Sequence, residues 1–150
     1  MKDIVVSVPH TGTRSLKDYL QIGHYEHFAP GRVDLLALDF HGHVPIRNPM
    51  HTTASWASRE KPGDVLARMV GVYAFFFDWL QKRPESHYSL YRMEDLPVTR
   101  GAGDHAPGDH SERIATFQEV ARAMVIAPHI DFWSRFYSAG ELKSAAPADR

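Results

Sequence analysis

Cysteine is absent from the 150 residues. That excludes disulfides, thiolate zinc sites and a cysteine nucleophile, and it fits a reducing compartment. An excess of charge of one sign is missing too: 17 Lys and Arg against 18 Asp and Glu leave a formal net charge of -1. No global basic field exists to hold nucleic acid by phosphate neutralisation, so any anion site must be local. Long apolar runs are also lacking. The most apolar stretch, Val70 to Leu80, is too short to cross a bilayer and is interrupted by Asp78. The opening MKDIVVSVP turns polar too soon for a secretory signal. Together these absences predict a soluble, cytoplasmic protein with no nucleic-acid or membrane partner.

What is present is ordinary globular composition, 43% hydrophobic and 23% charged. The length suits a single domain over residues 1–150, with a frayed tail over 144–150. Ten histidines are spread along the chain rather than gathered in a tract.

Strand and helix signals alternate throughout. Asp3 to Val8 is a β-branched run and predicts a buried strand. Pro9 to Thr13 is a glycine-containing turn, and Arg14 to Gln21 has helical spacing at Leu16, Tyr19 and Leu20. His24 to Phe28 predicts a second strand, Arg32 to Leu38 a short helix, and His43 to Arg47 a third strand. Pro49 suits the first turn of a helix that carries Thr52 to Arg59. Val65 to Gln81 predicts the longest helix, with Pro84 stopping it and His87 to Met93 forming a fourth strand. A loop over Arg100 to His110, a helix over Ser111 to Val125 and a short aromatic helix over Ile130 to Tyr137 complete the pattern. Such alternation predicts an α/β fold of three layers, a mostly parallel central sheet with helices on both faces.

Two segments carry chemistry. In VPHTGTRSL, Val8 to Leu16, a strand runs through a tight turn into a helix whose first N–H groups face any anion placed there. Gly12 permits close backbone approach. Thr11, Thr13 and Ser15 can add hydroxyls, and His10 and Arg14 can add positive charge. No Walker lysine is present in the turn. A plain strand-to-helix turn would look similar. In PIRNPMHTTASWASR, Pro45 to Arg59, Arg47 stands at the carboxyl edge of a strand, where α/β proteins bind ligands. Its guanidinium can grip a phosphate with two parallel bonds. Ser55 lies eight positions on, two turns along the following helix. A surface arginine and an ordinary helix serine are the bland alternatives.

In order along the chain, these segments resemble the sulfotransferase family. Its 5′-phosphosulfate loop reads like P-K-[ST]-G-T-[TS], against Pro9-His10-Thr11-Gly12-Thr13-Arg14 here. Its 3′-phosphate motif reads R-[DN]-P with a serine eight positions after the arginine, against Arg47-Asn48-Pro49 and Ser55 here. Tyr91 to Leu96, YRMEDL, is a weaker echo of the family's Y-E-D-L strand end. The motifs lie within Ile4 to Leu96. The resemblance implies a P-loop-like architecture and transfer of a sulfuryl group from 3′-phosphoadenosine 5′-phosphosulfate (PAPS) to a hydroxyl or amine. The acceptor would be a small molecule or a glycan. Thr11, Gly12, Thr13, Arg14 and Ser15 would hold the 5′ end of the nucleotide, and Arg47 and Ser55 the 3′-phosphate. The product would be 3′-phosphoadenosine 5′-phosphate (PAP), and no metal is required.

One position departs from the pattern: His10 stands where the family has lysine or, in some branches, arginine. Beside a polyanion His10 is expected to charge, and Arg14 can supply a permanent cation. His27 best matches the family's base after the first helix, with His24, His41 and His43 as rivals. Two other readings stay open, a nucleotide or sugar kinase-like phosphotransferase and a non-catalytic PAP- or PAPS-binding module. His41-Gly42-His43 and the Asp104-His105 and Asp109-His110 pairs match no specific metal spacing and read as solvated. Arg100, Gly101 and Gly103 loosely resemble the family's late nucleotide-covering loop. Phe75, Phe76, Phe77 and Trp79 read as core. Trp56 could pack near an adenine ring or in the core. Phe132, Trp133, Phe136 and Tyr137 would close the core, line an acceptor pocket or make a homodimer contact.

Overall fold

A computed structural model describes residues 1–97 and 110–143. The expected loop over Arg100 to His110, apart from His110, and the expected frayed tail lie outside these residues, as do the Asp104-His105 pair and Asp109. The described residues fall into two compact units, residues 1–47 with 71–97 and residues 48–70 with 110–143. The chain is α/β, with a four-stranded, all-parallel sheet in the first unit.

That sheet comprises β1 (Lys2–Ser7), β2 (Tyr25–His27), β3 (Phe40–Ile46) and β4 (Tyr88–Arg92), in the order β2-β1-β3-β4. Helix α1 (Thr13–Leu20) follows β1. Side chains alternate across the sheet. On one face Val5 packs with Leu16 of α1 and with Met93, and Leu20, Ile22, Tyr91 and Leu96 surround them. On the other face lie Val6 and Gly42. A β-carbon at Gly42 would come within 2.8 Å of the Trp79 ring, so glycine at this strand position makes room for that indole. Trp79 is itself anchored by its N–H to the Leu35 carbonyl at 2.8 Å.

β3 begins at Phe40, three residues before the expected start at His43, and ends one residue short of Arg47. Arg83 explains the early start. It is 5% exposed, stacks on the Phe40 and Trp79 rings, and donates to the carbonyls of Ala37 and Phe40. The expected short helix after Pro30 is a single 3-10 turn, Val33–Leu36.

The second unit holds α2 (Pro49–Arg59). The long helix α3 (Val65–Lys82) contributes its first residues here and the remainder to the sheet unit. α2 is buried along most of its length, which its Ala, Ser and Thr side chains allow. α4 (Ser111–Ala121) packs on it, with Gln118 donating to the Met50 carbonyl at 2.7 Å and Arg113 to the Glu60 carbonyl at 2.8 Å. The helix expected to run from Ser111 to Val125 changes to a wider π turn over Arg122–Ile126. α5 (Ile130–Trp133) is shorter than the expected helix to Tyr137. Trp133 and Tyr137 are 1% and 4% exposed, so two members of the aromatic patch close the core of this unit. α6 (Ala139–Lys143) opens with a reciprocal cap: Ser138 Oγ accepts from the Glu141 N–H, and Glu141 Oε1 accepts from the Ser138 N–H. No helix among the described residues is long and apolar enough to cross a membrane.

Candidate functional site

Strand order decides where a ligand can enter. From β1 the chain moves to β2 on one side, then crosses β1 to reach β3 on the other. Parallel sheets open a crevice outside the carboxyl ends of two such strands, because their following loops run in opposite directions. Here those ends are Ser7 and Ile46. The residues just beyond them are the hydroxyl-rich turn and Arg47, so the topology brings together two segments 37 positions apart. Arg47 Nη1 donates to the His10 carbonyl at 2.9 Å. The guanidinium is therefore seated against the turn and half-buried.

The turn itself is unusual backbone. His10 has φ 69° and Gly12 φ 97°, both left-handed. A non-glycine residue there costs about 1–2 kcal/mol. Such strain persists only where the surroundings impose it, and it clusters at ligand sites. A β-carbon at Gly12 would also sit 3.0 Å from the Met93 methyl. Gly12 is the N-cap of α1. No side chain caps this helix, and its first turn holds no acidic residue. The leading N–H groups and the positive end of the helix dipole thus meet no anion from the helix's own cap or first turn.

The two threonine hydroxyls are used by the fold. Thr11 Oγ1 donates to the Val8 carbonyl at 2.6 Å, closing the turn. Thr13 Oγ1 lies 2.6 Å from Ser7 Oγ and makes a longer, 3.5 Å contact to His27 Nε2. Both threonines are buried, whereas Arg14 is exposed and Ser15 half-buried. Arg14 and Ser15 add side-chain donors to the backbone N–H groups at this turn.

His27 ends β2 beside this turn. Partial burial pushes its imidazole below the ordinary 6.5, Arg32 and Arg14 push the same way, and Glu26 opposes them. The ring is therefore neutral at neutral pH and able to accept a proton. Arg32 donates to the His27 carbonyl at 3.2 Å and to Glu26 at 2.9 Å. Glu26 also accepts from His24 at 2.7 Å. The three rivals to His27 are committed elsewhere. His24 pairs with Glu26, while His41 and His43 lie in the amino-terminal half of β3, opposite Asp3 and Val5.

Ser55 sits on α2 in the second unit and is 3% exposed; Trp56 beside it is 1% exposed. Sequence reasoning passed over Ser7 and Arg32. A serine closing a β-branched strand was the available signal for Ser7. For Arg32 the signal was the Ala29-Pro30-Gly31 turn, which folds the chain back so that Arg32 meets Glu26 and the His27 carbonyl.

Among the described residues, no cluster of three or more His, Asp or Glu is arranged to hold a metal ion. Comparison with protein-family models, curated proteins and solved structures finds no match to the chain.

Proposed function

We propose that the chain binds a doubly phosphorylated adenosine and transfers a sulfuryl group from PAPS, within a three-layer, P-loop-like sulfotransferase architecture. The observation that carries this reading is the Arg47 bond to the His10 carbonyl. It sets a permanent cation beside an uncapped helix start at the switch point of the sheet. The motif order along the chain supports it independently.

In this scheme the nucleotide's 5′ end lies against the Gly12–Ser15 amides, with Arg47 holding the 3′-phosphate. The acceptor oxygen attacks sulfur in line, its bond to sulfur forming as the bond to the bridging oxygen breaks. Its proton passes to His27, and PAP departs with its charge stabilised by His10, Arg14 and the amides. The acceptor is a hydroxyl or amine on a small molecule or glycan.

Calorimetry separates this from the kinase-like reading. Wild type is expected to bind PAP without Mg²⁺ and more tightly than ATP. Arg47→Ala should lose about 100-fold in PAP affinity, the worth of one or two charge-assisted hydrogen bonds, with little change for adenosine 5′-phosphate. Equal loss for both nucleotides would overturn Arg47 as the 3′-phosphate clamp. PAP binding without transfer from labelled PAPS to any of a panel of alcohols, phenols, amines and sugars would reduce the proposal to a binding module.

A further inference from the structure

On the sheet face that meets α1 runs a polar cluster that sulfuryl transfer leaves unused. Parallel strands covered on both faces are usually runs of Val, Ile and Leu. Here one face instead bears Asp3 of β1, His41 and His43 of β3, and Ser89 and Tyr91 of β4. The register accounts for it: Asp3 pairs with His41, His43 with Ser89, and Pro45 with Tyr91, which turns all five side chains to the same side.

His43 stands at the centre. Its Nε2 is 2.8 Å from Asp3 Oδ1 and its Nδ1 is 2.8 Å from the Tyr91 hydroxyl. A carboxylate can only accept, so in the neutral ring the proton sits on Nε2 and Nδ1 is left to accept from the phenol. The His41 ring packs 4.8 Å from that of His43, with its Nε2 2.8 Å from Ser89 Oγ. The hydrogen bond from His43 holds Asp3 below its ordinary carboxylate range, and burial raises the Tyr91 phenol. A neutral hydroxyl, a base bonded to it and a carboxylate orienting that base form the arrangement that activates hydroxyl nucleophiles.

We propose that Asp3, His43 and Tyr91 form a second reactive site, in which the Tyr91 oxygen is the nucleophile toward an electrophile with an acidic leaving group. The phenol oxygen bonds to the electrophilic centre as its proton passes to His43 Nδ1. The Nε2 proton stays on the ring, hydrogen-bonded to the Asp3 carboxylate, and the leaving group departs as an anion. Phenolate is itself a fair leaving group, so transfer is downhill only from donors with a weaker base to lose. Those are activated aryl esters, sulfonyl halides and mixed anhydrides of phosphate. The site shares no residue with the Arg47 turn and stands whether or not PAP binds.

The test is an aryl sulfonyl fluoride on the full chain, read by peptide mass spectrometry. The new S–O bond replaces S–F and fluoride leaves. Tyr19 and Tyr25 are 48% and 36% exposed and serve as internal references. Tyr91, though less exposed, should label at least about tenfold faster than either, the minimum expected of an effective positioned base. His43→Gln should remove that advantage. Asp3→Asn, at an exposed rim position, should reduce the advantage without disturbing the fold. Labelling that follows exposure, with Tyr91 slowest, would overturn the site. So would a Tyr91 rate indifferent to both substitutions. The wild-type selectivity needs no variant and decides the matter even if His43→Gln fails to fold.

Discussion

Two helix starts in this molecule are built in opposite ways. α2 opens conventionally. Asn48 accepts from the Met50 N–H at 2.9 Å, and Pro49 occupies the first position, where no N–H is needed. α1 opens from two left-handed residues, with no side-chain cap and no acid in its first turn. The chain can therefore cap a helix, and at α1 it does not. A start satisfied by its own neighbours stabilises the fold wherever it stands. An open start held in strained backbone at a sheet switch point is useful only if something else supplies the negative charge. This contrast is why the proposed nucleotide site is set at α1 rather than at α2.

The sharpest way to break that contrast is Gly12→Ala. With φ at 97° and the Met93 methyl 3.0 Å from the new carbon, it should cost about 2 kcal/mol in urea denaturation. PAP affinity should fall along with stability. If the variant is as stable as wild type, the turn does not depend on its left-handed geometry.

His10→Lys tests the same turn in the other direction. It restores a permanent cation where the imidazole must first be charged, and should raise sulfuryl transfer from labelled PAPS about tenfold, roughly 1.4 kcal/mol. A slower variant would place the leaving-group charge elsewhere. Asn48→Ala addresses the capped start. It should cost about 1 kcal/mol of stability and leave PAP affinity unchanged. Loss of affinity there would erase the distinction between the two starts.

The smallest effect concerns His27. Burial holds its imidazole below 6.5, so the unfolded chain takes up the proton more readily than the folded one. Its contribution to stability is full above that value and shrinks as pH falls below it. The stability difference between wild type and His27→Gln should therefore narrow from about pH 7.5 to about pH 5.5 in denaturant titrations. The acid limb of the transfer rate, set by the same group, should lie below the ordinary histidine range.

Local chemistry made much of the architecture legible. β-branched residues marked β1, Pro49 marked the start of α2, and Pro84 marked the end of α3. The early start of β3 was not legible, because Gly42 weakens a strand signal and only the Trp79 ring explains the glycine. Ser138 to Glu141 was legible in principle: Ser-x-x-Glu is the reciprocal cap that opens α6. At the candidate site the residue types at the turn and at Arg47 were readable, as was their order. The inward use of the Thr11 and Thr13 hydroxyls was not, since a hydroxyl's partner depends on which way the backbone carries it.

Composition, alternation of period and turn residues, each a property of neighbours along the chain, determined an α/β protein with a glycine turn before its first helix. The strand order was decided only in three dimensions, because pairing depends on which faces can be buried together. That order set Arg47 against His10, and the register brought Asp3, His43 and Tyr91 into one hydrogen-bonded row. Residues 40 and 48 positions apart become partners when three strands lie side by side, and no local pattern encodes that adjacency.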